Sequence, residues 1–343
     1  MSKQELPSVS VCIPVYNGEN YLLESINSVL GQDYPNFEIL IVDNCSNDRT
    51  ETIVSEINDS RVRYVRNEKN IGSIRNFNKC IELAKGEYFL LLPHDDLLLP
   101  DSIVNFVKGL EDPSVGFVYS SIRVVNADGE ITHNKVNHEV DKVFSSEETV
   151  KDIVDNFVPI QLAMARTSIL QVLGGFDIKY GVFADVHLWS KIAFDGWKAL
   201  YLKEPLFCHR SHAEQGQVAF LKPNLKTLNK HWGKELDENF WIENSYNHLF
   251  LKLSCFLILE MKSHSYDPSH AKIKLLKIIA ISHFKSILKA LLQLDFPVVV
   301  RDLLIVKPLI KLYSFQNIML FYPLEIVKYT LRKLDNNLNS YLR

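Results

Sequence analysis

Cysteine is scarce in this 343-residue chain and follows no pattern. The five thiols are scattered, odd in number and without C-x-x-C spacing, at Cys12, Cys45, Cys80, Cys208 and Cys255. This distribution excludes a disulfide framework and a cysteine zinc site, and it favours a reducing compartment. Residues 1–7 also lack the apolar core of a signal peptide, so we expect a cytoplasmic protein.

Long hydrophobic runs and excess charge of one sign are missing as well. The most apolar part of the tail is interrupted by lysines, so the sequence predicts no membrane-spanning helix. The net charge of −3 excludes a strongly basic protein, and we expect no nucleic-acid partner. This near-neutral total hides an asymmetry. Residues 261–343 carry 13 Lys and Arg against 5 Asp and Glu, whereas the first 260 residues carry 25 against 36.

The basic C-terminal part, residues 223–343, is predicted to be helical. Between residues 271 and 292 an apolar stripe is mixed with five lysines, which is typical of a helix lying on anionic lipid. The same stripe would suit a helical subdomain that packs on the rest of the chain or on a second copy in a homodimer. The two interpretations are compatible.

From Ser8 to about Tyr119, short β-branched runs alternate with helical periodicity. The predicted strands are 9–13, 37–42, 61–65 and 87–92, and the predicted helices are 22–30, 49–57 and 74–84. A hairpin turn follows at 126–129, then helices at 168–173 and 184–194 and a strand near 199–208. The order predicts an α/β fold with a mixed, mostly parallel, Rossmann-like sheet flanked by helices.

Two adjacent aspartates, Asp95 and Asp96, follow the apolar strand 87–92. Ligands bind outside the carboxyl ends of parallel strands, so these carboxylates are expected to face a crevice. They would repel each other unless a cation held them, and a divalent ion carrying a diphosphate meets that need. The alternatives are an N-cap for a helix at 101–110 or a plain acidic turn.

The loop after the first strand, Pro14-Val15-Tyr16-Asn17-Gly18, has one glycine and no lysine. A phosphate-cradling loop shows several glycines and often a lysine, so this loop must bind through side chains. The second strand ends at Asp43, whose carboxylate could accept the ring N–H of a uracil or guanine. The alternative is a capped turn in which Ser46 or Asn47 starts the next helix.

Together these motifs resemble the inverting family 2 glycosyltransferases of the GT-A fold, of the type that builds bacterial surface polysaccharides. The similarity covers Val9 to His212 and rests on Pro14 to Asn17, Val42-Asp43 with Ser46 and Asp48, Asn70-x-Gly72 with Arg75-Asn76, Gly86-Glu87-Tyr88 and Asp95-Asp96. It implies a catalytic domain over residues 1–222, with a nucleotide-binding half at about 8–120 and an acceptor half at about 121–222. The implied reaction moves a sugar from a nucleotide-diphosphate donor, expected to be a UDP-sugar. The acceptor would be a hydroxyl of a glycan or a polyprenyl-linked molecule at the inner face of the cell membrane.

The resemblance also implies roles for individual residues. Asp185, at the start of the predicted helix 184–194, would be the base that deprotonates the acceptor hydroxyl, the alternative being a helix N-terminal charge. The implied donor and metal residues are Pro14, Tyr16 and Asp43 for the base with Asn17 beside them, Asp95 for the ribose or sugar, Arg75 and Arg210 for the phosphates, and Asp96 and His212 for Mn²⁺ or Mg²⁺.

Two places depart from the family pattern. Ala184 and His187 stand where acidic residues usually surround the base, and Pro93-His94 stands where a first carboxylate is often found. His187 would be either a helix-surface residue or a partner for the acceptor or the base. His94 would be a crevice wall or, less favoured for a hard ion, a metal ligand. A second hypothesis is therefore a degenerate paralogue acting as a nucleotide- or membrane-binding assembly subunit.

Overall fold

The computed structural model describes residues 6–156 and 163–211. This part of the chain contains ten strands, which are β1 (Val9–Val15), β2 (Phe37–Asp43), β3 (Val62–Arg66), β4 (Tyr88–Leu91), β5 (Leu97–Leu98), β6 (Val115–Val125), β7 (Ile131–Lys135), β8 (Lys142–Phe144), β9 (Ala163–Arg166) and β10 (Lys198–Arg210). They form one sheet in the order β3-β2-β1-β4-β9-β6-β10-β5, with β7 beside β6 and β8 beside β10.

Helices connect the strands and cover the sheet. They are α1 (Leu22–Leu30), α2 (Thr50–Ser55), α3 (Ser73–Leu83), α4 (Ser102–Gly109), α5 (Ser146–Asn156), α6 (Thr167–Val172) and α7 (Ala184–Phe194), with a 3₁₀ helix at Ile178–Phe183. The apolar positions of α1 that predicted a helix, Leu22, Ile26 and Val29, are buried against the sheet. The predicted βαβαβαβ order is confirmed, and the predicted helix over 184–194 matches α7 at both ends.

The sheet brings most strand ends that carry polar residues to one edge. β1 pairs in parallel with β2 and β4, and β2 pairs in parallel with β3. β9 is antiparallel to both β4 and β6, so β6 runs in the same direction as β4, and β10 is parallel to β6. The carboxyl ends of six strands, β1 to β4, β6 and β10, therefore lie at the same edge.

The direction of α7 follows from its connection to β10. The helix ends at Phe194, the chain turns at Gly196 with φ of 95°, and Lys198 donates its N–H to the carbonyl of Ser114 just before β6. The starts of β6 and β10 lie at the edge of the sheet opposite the carboxyl ends. The N-terminus of α7, which carries Asp185, consequently points back toward the edge where the carboxyl ends lie.

Some predictions fall outside the described residues. The basic region 223–343 and His212 are among them, so the tail interpretations and the domain boundaries stay predictions. Within residues 6–156 and 163–211, no helix has both the length and the apolar character needed to cross a bilayer.

Gly86 lies in the turn before β4, and this turn packs closely against β1. Its N–H donates to Ser10 Oγ at 2.8 Å, and a Cβ placed on it would lie 2.7 Å from the carbonyl carbon of Val9. We predict that Gly86→Ala lowers the free energy of unfolding by about 2 kcal/mol, because backbone on both sides must shift. Gly31→Ala, whose Cβ would meet only Asn27 O at 3.3 Å, should cost about 0.5 kcal/mol or less. Equal urea midpoints for the two variants would contradict this packing argument.

Candidate active site

Asp43 ends β2 as a fully buried carboxylate with four protein donors. One oxygen accepts the backbone N–H of Ser46 at 2.8 Å and its hydroxyl at 2.6 Å. The other accepts the hydroxyl of Tyr64 at 2.6 Å and a guanidinium N–H of Arg66 at 2.9 Å. These bonds use the four acceptor positions of a carboxylate, so binding a nucleobase would require exchange of one donor. The base-binding role of Asp43 stays a prediction, and Ser46 bonds Asp43 rather than capping α2.

The loops after β1 and β2 are joined by hydrogen bonds between side chains and backbone. Asn17, with a left-handed φ of 55°, donates its N–H to Ser46 Oγ at 2.9 Å and accepts from the N–H of Asn47 at 3.0 Å. Gly18 donates to Thr50 Oγ1 at 2.9 Å. These bonds hold the first loop while Tyr16 stays 44% exposed, as a stacking surface for a base requires. Pro14 is buried in β1, one residue before the strand ends.

An asparagine network fixes the turn that leads into α3. Asn44 Oδ1 accepts from Asn67 Nδ2 at 3.2 Å and from the N–H of Ile71 at 2.9 Å. Asn70 Oδ1 accepts from Asn44 Nδ2 at 3.0 Å and from the N–H of Gly72, whose φ is 85°. The turn places Arg75 on the first exposed turn of α3. A phosphate contact by Arg75 stays a prediction.

Asp96 is a buried carboxylate whose partners come from the end of β10. Its Oδ1 accepts the backbone N–H of Arg210 at 2.9 Å, and the Nδ1 of His209 lies 3.1 Å from the same oxygen. Burial raises the pKa of Asp96, and His209 partly offsets that shift. Burial alone would lower the pKa of His209, but the hydrogen bond to Asp96 raises it. The sequence interpretation overlooked His209 as a partner of Asp96.

Arg210 is buried and its guanidinium connects three segments. Nε donates to the carbonyl of Asp95 at 3.1 Å, Nη1 donates to the carbonyl of Ala127 at 3.0 Å, and Nη2 donates to Glu24 Oε2 at 2.6 Å. The guanidinium carbon also lies 4.6 Å from the ring centre of Tyr21. The predicted phosphate contact of Arg210 stays a prediction, because the guanidinium would share its donors with these internal partners.

Asp185 is the second residue of α7 and accepts the N–H of Val186 at 2.7 Å. Although part of the residue touches solvent, burial raises the pKa of its carboxyl to about 6. His187 is buried, stacks on Tyr180 with ring centres 3.9 Å apart, and burial lowers its pKa to about 4. The interpretation of His187 as a helix-surface residue is therefore wrong, because α7 is enclosed on that side by the 3₁₀ segment.

His94 lies against the loop after β1. A Cβ on Gly18 would come within 3.0 Å of His94 Cδ2, so the ring lies close to Gly18, and its role as a crevice wall stays a prediction. Asp95 and Asp96 precede α4, whose N-cap residue is Asp101. They are not the caps of that helix, and the N-cap alternative for the aspartate pair is wrong.

The family model described as "Glycosyl transferase family 2" matches residues 10–174, which include the strand ends of β1 to β4. Residues 10–174 are a family 2 glycosyltransferase domain. This confirms the resemblance drawn from the motifs. Asp185 and Arg210 lie beyond the matched segment.

Similar proteins named as glycosyltransferases agree with this membership, and solved structures agree with the fold. An uncharacterized glycosyltransferase from Rickettsia typhi is 31% identical over 191 residues, 54% of this chain and 58% of that protein, so the chain spans less than two thirds of its length. The Escherichia coli protein WfgD, named a UDP-Glc:alpha-D-GlcNAc-diphosphoundecaprenol beta-1,3-glucosyltransferase, is 24% identical over 273 residues, 77% of this chain and 98% of that one. The crystal structure of Staphylococcus aureus TarS residues 1–349 with UDP-GlcNAc has a TM-score of 0.55 at 18% identity, covering 85% of this chain and 89% of that one. That likeness confirms the GT-A type of fold.

The aspartates of the glycosyltransferase domain fit a hydrated divalent ion better than a closed metal cage. Within residues 6–156 and 163–211, no group of three or more His, Cys, Asp or Glu could hold a metal ion. Magnesium-type ions keep several waters and take one or two carboxylates together with substrate phosphates. Asp96 fits that need, because a nearby cation would offset the burial that raises the pKa of its carboxyl.

The raised pKa of Asp185 predicts a measurable effect on stability. The folded carboxyl titrates near 6 and the unfolded one near 4, so wild-type stability falls as pH rises between those values. We predict that Asp185→Asn, which keeps the acceptor for Val186, is on the order of 1 to 3 kcal/mol more stable than wild type at pH 8 and similar at pH 4. Chemical denaturation at the two pH values measures this. The exposed Asp195→Asn, at the other end of α7, is the control. A difference between Asp185→Asn and wild type that does not change with pH would show that the carboxyl is not desolvated.

Proposed function

We propose that this chain is an inverting glycosyltransferase that moves a sugar from a UDP-sugar to a hydroxyl of a glycan or lipid-linked acceptor in polysaccharide synthesis. The observation that carries the proposal is Asp185, whose carboxyl titrates near 6 at the N-terminus of α7. Family membership supports the reaction class. The names of WfgD and of the TarS complex support the donor and acceptor classes.

Asp185 suits the role of general base. A carboxylate with a pKa near 6 is mostly ionised at pH 7, yet it is basic enough to take a proton from a hydroxyl as bond formation proceeds. The acceptor oxygen attacks the anomeric carbon, the bond from that carbon to the diphosphate breaks, and the proton passes to Asp185. A single displacement of this kind inverts the anomeric centre.

The donor would lie along the edge formed by the loops after β1, β2 and β4. Tyr16 offers an exposed ring to the base, and Asp95 is near the ribose or sugar in this arrangement. Asp96 would hold Mn²⁺ or Mg²⁺, which when bound neutralises charge on the departing diphosphate. We also propose residues 1–222 as the catalytic domain, with 223–343 contacting an anionic membrane surface or a second copy.

Nucleotide selectivity tests the donor assignment. We predict that UDP raises the melting temperature more than GDP, CDP or dTDP, and that Mn²⁺ enlarges the shift, because a ligand bound only to the folded state stabilises it. At 100 times its dissociation constant a ligand contributes about 2.7 kcal/mol. Asp96→Asn should remove the Mn²⁺-dependent part. Equal, metal-independent shifts for all four nucleotides would rule out the proposed donor site.

The rate of sugar transfer tests whether Asp185 is the general base. Asp185→Asn should abolish transfer while UDP affinity persists, and wild-type turnover should fall about tenfold per pH unit below about 6, because the base must be ionised. Transfer is followed as UDP release that depends on the acceptor. Asp195→Asn should keep the wild-type rate. Full activity in Asp185→Asn would remove Asp185 from the mechanism, whereas UDP binding without transfer by wild type would favour the assembly-subunit hypothesis.

A further inference from the structure

Glu24 has no motif around it, yet its carboxylate has a defined partner. It lies on the first turn of α1, and its side chain is 59% exposed. An exposed glutamate ordinarily gains little from a single ion pair, since solvent screens the interaction. Here Oε2 lies 2.6 Å from Nη2 of Arg210, whose own side chain is only 3% exposed. The pair therefore joins a surface carboxylate to a buried cation.

Arg210 reaches the aspartate turn both through its backbone and through its side chain. Its backbone N–H binds Asp96 Oδ1 at 2.9 Å, and its Nε binds the carbonyl of Asp95 at 3.1 Å. Nη1 holds the carbonyl of Ala127, in the turn between β6 and β7. A change in the position of this guanidinium would thus move the turn that carries both carboxylates.

The negative charge of Glu24 helps to hold the guanidinium of Arg210 on the α1 side. A buried cation is stabilised by a counter-ion, and Glu24 supplies one for Arg210. Loss of this contact would let the guanidinium shift, and its bonds to the carbonyls of Asp95 and Ala127 would shift with it. With Glu24 present, the guanidinium stays on the α1 side, over the ring of Tyr21.

We infer that Glu24 is a positioning residue of the donor site, which acts as a counter-ion of Arg210 and so keeps the Asp95–Asp96 turn arranged to bind a divalent cation with a nucleoside diphosphate. The inference rests on the proposed function. Partners that orient metal-binding groups without touching the metal commonly change metal affinity by about 10- to 100-fold when they are mutated. Glu24 would likewise act without touching the metal, through its contact with Arg210.

The experiment measures UDP affinity by calorimetry with and without Mn²⁺ in Glu24→Ala, Arg210→Lys and the double variant. Glu24→Ala should weaken binding about 10-fold when Mn²⁺ is present and leave the metal-free affinity unchanged. The double variant should be no weaker than the weaker single variant, because both act through one contact. Glu82→Ala removes a similarly exposed glutamate that pairs with Lys79 on α3, and it should bind like wild type.

The sign of the Glu24→Ala effect separates positioning from direct phosphate binding. If Arg210 contacted the diphosphate, removing a nearby negative charge would tighten UDP binding. Unchanged or tighter binding of UDP with Mn²⁺ in Glu24→Ala overturns the inference, and so does an equal loss with and without the metal.

A wild type that binds no UDP would refute the proposed function alone. Amide hydrogen exchange across residues 93–98 then decides the inference by itself. Faster exchange there in Glu24→Ala than in Glu82→Ala supports it, and equal exchange overturns it.

Discussion

The buried carboxylate of Asp43 is the constraint on which the arrangement of the loops after β1 and β2 depends. A charge with no solvent contact is tolerated only when hydrogen bonds replace its water, and four donors do so here. Two of them come from Ser46 in the next loop, and two come from Tyr64 and Arg66 on β3. Because Asp43 accepts all four bonds, the loop after β2 is held against β3. The hydroxyl oxygen of Ser46 in turn accepts the N–H of Asn17 and so holds the loop after β1.

This arrangement explains how a nucleotide site can form without a glycine-rich loop. Glycine loops present backbone N–H groups to phosphate, whereas here the N–H groups of Asn17, Gly18 and Asn47 already bind protein oxygens. The loop after β1 is consequently held by these bonds and has few free backbone donors. Recognition must come from groups that remain outside this network, such as the exposed ring of Tyr16, and from the charges beyond β4.

The local sequence pattern predicted the positions of the helices and strands. The contacts between residues far apart in the sequence depend on how the strands pair. β-Branched runs and helical spacing sufficed for β1 to β4 and for the bounds of α7, because those patterns reflect which face is buried. The contact of His209 with Asp96 spans 113 residues, and that of Glu24 with Arg210 spans 186. Such pairs follow from sheet order and register, which no local pattern encodes. The burial of His187 was missed for the same reason, since Tyr180 and the 3₁₀ segment cover it.

The departures from the family pattern around Asp185 have a consistent electrostatic effect. An acidic residue at position 184 or 187 would place a second negative charge near the carboxylate of Asp185 and raise its pKa further. Ala184 carries no charge, and burial keeps the ring of His187 neutral above about pH 4. Burial is then the main cause that raises the pKa of Asp185, to about 6. The substitutions therefore keep the carboxylate ionised at neutral pH, while its desolvation, which costs stability, is what makes it basic.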